Sequence, residues 1–132
     1  MKAAACYFPA GLYILYSAIM AGETMKGNKV VAEISVVPLG TGSAGVSEYV
    51  AACIDVLDKE KGLSYRLTPM GTILEGSLED VLKAARKMHE VPFLRGAVRA
   101  VTTLKIDDRR DKKLSMEGKL KSVKKRKPDV QL

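Results

Sequence analysis

From Val30 onward the hydrophobic positions alternate between a period of two and a period near three and a half, and that alternation predicts the elements. Residues 30–38 (VVAEISVVP) are rich in β-branched side chains, with Val30, Ala32, Ile34 and Val36 on one face of a strand. Val31, Glu33, Ser35 and Val37 fall on the other, so one face is wholly apolar and the other mixed. From Val46 to Lys59 the period lengthens, and Val46, Val50, Cys53, Ile54 and Leu57 form one helical stripe, ended by Gly62. Residues 65–76 (YRLTPMGTILEG) return to strand chemistry in two runs that meet at Pro69-Met70-Gly71. Proline fixes φ there and glycine permits the bend, which predicts a hairpin. Arg66 and Thr68 share one face of its first strand, Tyr65 and Leu67 the other; on its second strand Thr72 and Glu75 share a face only across a bulge. Ser77-Leu78-Glu79-Asp80 opens a second helix with a capping pattern, its stripe is Leu78, Val81, Leu82, Ala85 and Met88, and Val91-Pro92 is the predicted stop. Residues 98–107 (VRAVTTLKID) form the last strand, and residues 115–126 a short basic helix in which Leu120 and Val123 give a thin apolar stripe.

The resulting order, strand-helix-strand-strand-helix-strand, is the βαββαβ pattern of an α+β, ferredoxin-like sandwich. It predicts a four-stranded antiparallel sheet in the order 4-1-3-2, with both helices on one face. The helix-free face then carries Val31, Glu33, Ser35, Val37, Arg66, Thr68, Arg99, Val101, Thr103 and Lys105. Such a face is too apolar to stay wholly wet and too polar for a core, so it suits a ligand or a second sheet. The expected organisation is an N-terminal extension over residues 1–28, one domain over 29–112 and a basic helix and tail over 113–132.

A chain of 132 residues supplies one core. Its net charge of +7 is local: residues 109–127 hold ten Lys or Arg against Asp111 and Glu117, a segment charge of +8, and the remainder sums to −1. A nucleic-acid role would therefore rest on the basic end alone. The central strands offer no aromatic platform for stacking bases, which argues against an RNA-reading sheet. Two cysteines make neither a disulfide framework nor a metal pattern; Cys53, within a helical stripe, reads as a small buried hydrophobe. The single histidine, His89, reads as structural. With it alone no Cys-His, Ser-His-Asp or metal cluster assembles, so catalysis is not expected. The glycine-rich stretch 39–45 (LGTGSAG) leads into a helix but lacks both the P-loop ending and the dinucleotide spacing, and reads as a plain turn. Residues 3–22 carry no charge. They fit a membrane span or secretory signal poorly because Pro9, Gly11 and several tyrosines interrupt them; a start at Met25 is the preferred alternative, with a cytoplasmic location.

Four stretches carry a resemblance: residues 31–42 (VAEISVVPLGTG), 47–50 (SEYV), 65–76 (YRLTPMGTILEG) and 99–111 (RAVTTLKIDDRRD). They are similar to the YkoF-related thiamine-binding protein family over about Lys29 to Lys125, most specifically in the Thr-Pro-Met-Gly-Thr-x-x-Glu-Gly string at 68–76. The resemblance implies a ferredoxin-like fold, sheet-to-sheet dimers paired into homotetramers, and binding of thiamine or its hydroxymethylpyrimidine moiety without catalysis or a cofactor. Chemistry suited to that ligand is present. An aminopyrimidine needs hydroxyls, available from Ser35, Thr68, Thr72 and Thr103; a thiazolium cation needs an anion, available from Glu75 or Glu33. Arg66 and Arg99 compete for those carboxylates as structural partners. The alternative reading is an oligomerisation protein whose basic tail contacts nucleic acid.

Overall fold

The computed structural model describes residues 28–132; the expectations for the segment before Met25, and Cys6, lie outside the described residues. Four strands and three helices follow in the order β1 (Lys29–Leu39), α1 (Ser47–Leu57), β2 (Ser64–Thr68), β3 (Gly71–Ser77), α2 (Leu78–Leu94), β4 (Arg99–Asp107) and α3 (Met116–Arg126). All strand pairs are antiparallel, in the order β2-β3-β1-β4, which is the predicted ferredoxin-like arrangement. β1 therefore lies in the interior of the sheet, and its apolar face meets both helices. Val30, Ala32 and Ile34 close on Leu74 of β3, on Cys53 and Leu57 of α1, and on Val81, Ala84, Ala85, Met88 and Val91 of α2. Each of the larger side chains in this layer is worth roughly 1.5–3 kcal/mol of burial.

Helix α2 begins as its sequence predicts, with Ser77 Oγ accepting from the Asp80 amide at 3.1 Å. It does not stop at Val91: the helix continues through Pro92 to Leu94 and ends at Gly96, whose φ of +87° lets Ala97 N–H reach back to Pro92 O at 2.9 Å. A proline inside a helix has no N–H for the carbonyl four residues earlier, here that of Met88. The thiol of Cys53 donates to that carbonyl at 3.6 Å, which partly replaces the missing bond. Pro92 is itself buried, so its ring adds to the core. The stripe of α2 also sits one step round from its predicted position, with Ala84 buried and Leu82 exposed. Val46, predicted to start the α1 stripe, is the exposed residue before the first turn.

Candidate ligand-binding face

Register decides which side chains share the helix-free face. Ile34 pairs with Leu104 and Thr72, so those positions point to the helices. Glu33 pairs with Lys105 and Ile73, Ser35 with Thr103, and Val37 with Val101, so these point away from them. Arg66 and Thr68 join the same face from β2, opposite Ile73 and Gly71. Of the six predicted site residues, Glu33, Ser35, Thr68, Glu75 and Thr103 thus lie on one face. Thr72 does not: β3 contains no bulge, and Thr72 is 4% exposed on the helix side.

The face is divided. Over one end lies α3, capped by Ser115 Oγ, which accepts from Gly118 N at 3.0 Å. Glu75 Oε2 accepts from the backbone N–H of Met116 at 2.9 Å, and its Oε1 accepts from Lys29 Nζ at 3.3 Å. Ion pairs Arg66–Glu117 and Lys119–Asp107 tie the same helix to β2 and β4. Val31, on the helix-free face, is buried beside Glu75. Glu75 is therefore committed at both oxygens to chain-internal donors, with its side chain only 13% exposed. The expected arginine partners were also different. Arg66 turns to Glu117, and lysines serve the two site carboxylates: Lys29 for Glu75 and Lys105 for Glu33. The Glu33–Lys105 pair follows from the β1–β4 register, which the sequence alone leaves open.

The other end of the face is bare. Glu33, its side chain 37% exposed, leans over Gly71. A Cβ at Gly71 would approach Ile34 O to 3.1 Å, a tight backbone contact, and would meet Glu33 Oε1 at 3.5 Å, so the carboxylate lies in ordinary contact distance of this position. Beside it stand Ser35 and Thr103, paired across β1 and β4, and Thr68, whose hydroxyl donates to Gly71 O at 2.7 Å and keeps its lone pairs free to accept. Val37 and Val101, both exposed, form the apolar border. The arrangement offers one accessible anion, three hydroxyls and a small apolar wall. His89 and Cys53 lie on the opposite side of the sheet. His89 Nδ1 is 2.8 Å from Thr102 Oγ1, tying α2 to β4, and burial pushes the Cys53 thiol up to about 11.

The glycine-rich turn before α1 forms a shallow polar hollow lined by Thr41, Ser43, Gly45, Ser47, Glu48 and Tyr49. Its donors are used locally, Thr41 Oγ1 to Ser43 O at 2.9 Å and Gly45 N to Ser43 Oγ at 3.1 Å. Glu48 in the first turn places negative charge where a phosphate would sit. Among the described residues no group of acidic, histidine or cysteine side chains forms a metal site, and no helix is long and apolar enough to cross a membrane.

Comparison with known proteins places these features. UPF0045 protein YqgV of Bacillus subtilis is 42% identical over 98 residues, covering 72% of this chain and 94% of that protein. UPF0045 protein MJ1052 of Methanocaldococcus jannaschii is 46% identical over 95 residues, covering 72% and 92%. The crystal structure of MJ1052 superposes with a TM-score of 0.68 at 44% identity, covering 74% of this chain and 97% of that one. A crystal structure described as a putative thiamine biosynthesis/salvage protein from Thermotoga maritima has the same fold, with a TM-score of 0.60 at 24% identity over 72% of this chain and 98% of that one. The model of the family described as thiamine-binding protein matches residues 32–124, nearly the whole span from β1 through α3, and the chain belongs to that family.

Proposed function

We propose that the protein binds thiamine, or its hydroxymethylpyrimidine moiety, without transforming it, on the bare half of the helix-free face. The observation that carries this is Glu33, a half-exposed carboxylate seated over Gly71 among the hydroxyls of Ser35, Thr68 and Thr103. An aminopyrimidine presents a donor next to a ring acceptor, which a carboxylate and a hydroxyl satisfy together. The thiazolium cation competes with Lys105 for the same anion, so binding exchanges an exposed ion pair, itself worth little, for a ligand contact. Val37 and Val101 supply the apolar surface, and a second copy packed face to face completes the enclosure, two such dimers giving a tetramer.

Glu33 takes the anionic role in this reading because Glu75 is occupied by Lys29 and the Met116 amide. Titration calorimetry with thiamine and with hydroxymethylpyrimidine tests it. Glu33→Gln should weaken binding by about 1.5–3 kcal/mol, the worth of a charge-assisted hydrogen bond, and Thr103→Val by roughly 1 kcal/mol. Absence of binding to the wild-type chain by either ligand overturns the reading.

A further inference from the structure

The basic end of the chain is more one-sided in space than its composition suggests. Of the ten Lys and Arg between residues 109 and 127, Arg109 pairs with Asp111, Arg110 with Asp108 and Lys119 with Asp107. Lys112, Lys113, Lys121 and the run from Lys124 to Lys127 are all exposed and have no acid partner among the described residues. From residue 112 onward the chain holds two acids: Glu117, which is turned to Arg66 of β2, and Asp129, beyond the helix.

Helical spacing decides where those cations point. Met116, Leu120 and Val123 recur on one side of α3, with Glu117 and Lys119 on its two flanks. The flanking pair reaches down to β2 and β4, so this side faces the sheet, and Met116 and Leu120 are accordingly half-buried. Lys121 and Lys125, about one turn apart, lie on the opposite, solvent side, with Lys124 and Arg126 at its margins.

We propose that this outer side of α3, with Lys112 and Lys113 ahead of it, docks on the phosphate backbone of duplex DNA without reading its base sequence. Each phosphate that a lysine or arginine neutralises releases a condensed counterion, which is the source of sequence-independent affinity. Lysine ammoniums are point charges on flexible stems, suited to phosphates and poor at fixing a base pattern. The rest of the chemistry selects the occupant. A helix that lies on a membrane turns its apolar side to the lipid, whereas the stripe of α3 is turned to the sheet. A protein interface is anchored by buried aromatic or other large side chains, and the outer side of α3 offers no aromatic or apolar one. Single strands are held by stacking, yet residues 108–132 contain no aromatic. Duplex RNA is told apart through its 2′-hydroxyls, but the hydroxyl on this side, Ser122 Oγ, donates to Gly118 O at 2.8 Å. This surface is separate from the bare half of the sheet face, and its role holds whether or not thiamine is the ligand there.

Fluorescence anisotropy of labelled duplexes of arbitrary sequence tests it on the full chain, with circular dichroism to confirm folding. Two unrelated duplexes should bind alike, and affinity should fall with salt on a log–log slope of about −3 to −6. Lys121→Gln combined with Lys125→Gln should reduce that slope by about 2 and weaken binding roughly tenfold or more at low salt. Lys59→Gln combined with Lys61→Gln removes the same charge from the exposed loop after α1, on the helix-covered side of the sheet, and should change affinity by less than about twofold. No binding of the wild type at low salt, equal weakening by the two double variants, or a strong preference between unrelated duplexes overturns the proposal. So does tighter binding to single-stranded DNA, duplex RNA or vesicles of anionic lipid than to duplex DNA.

Discussion

Single residues in this protein are fixed by what their neighbours lack. Met88 O lacks the amide that Pro92 cannot supply, and Cys53 partly fills that role from α1, while its burial in the core holds the thiol protonated. Because the folded pKa is raised from 9.0 to about 11, the folded state binds the Cys53 proton more tightly than the unfolded chain. Stability from this group is complete below pH 9 and is lost as the pH rises through 11. Denaturant titrations should therefore show a steeper fall between those limits for the wild type than for Cys53→Ala. Gly76 is fixed by space: a Cβ there would strike Leu63 Cδ2 and approach Gly62 O to 3.0 Å. The Leu63 side chain can shift but the Gly62 carbonyl cannot easily do so, and Gly76→Ala should cost about 1–3 kcal/mol in equilibrium unfolding. Neither constraint is visible in the sequence, where Pro92 reads as a stop and Gly76 as the end of a strand.

The strands and helices were legible because their patterns are local. Alternation separated the two faces of β1 and β4, and the Ser77 cap placed the start of α2. What the sequence could not supply was register, and with it the identity of partners. Thr72 and Glu75 are three residues apart on an unbulged strand, so only one of them reaches the helix-free face. Glu75 proved to be an anchor for α3 because residues 108–115 bring the Met116 amide back across the sheet, a path no periodicity encodes. Glu75→Gln should accordingly loosen α3, costing roughly 1.5 kcal/mol in the local opening of its amides. Hydrogen exchange would show faster exchange across Met116–Arg126 with the β1 and β3 amides unchanged. Calorimetry on the same variant should show ligand affinity nearly unaltered, which separates its role from that of Glu33. Removing residues 115–132 uncovers Val31 as well, and should lower the unfolding midpoint more than Glu75→Gln does.

At the scale of the whole molecule, a near-neutral body carries a basic end; of the α3 cations Lys119 pairs with Asp107, while the helix's own Glu117 is turned to Arg66 of β2. The last turn of α3, with Lys124, Lys125 and Arg126, complements the negative end of its own helix dipole, so part of that charge is structural. The sheet itself has a temporal consequence. β1 comes first among the described elements, yet it is flanked by β3, which ends at Ser77, and by β4, which ends at Asp107. Its pairing with β4 spans the most distant segments of the sheet, the kind of contact that slows folding. During synthesis β1 leaves the ribosome with both edges unpaired and one wholly apolar face; β3 can cover one edge once Ser77 has followed, but the other stays open until β4 is complete at Asp107. A nascent chain stalled between residues 77 and 107 would hold three of the four strands, with β1 as an exposed edge. That intermediate, rather than the finished protein, is where aggregation of this chain would begin.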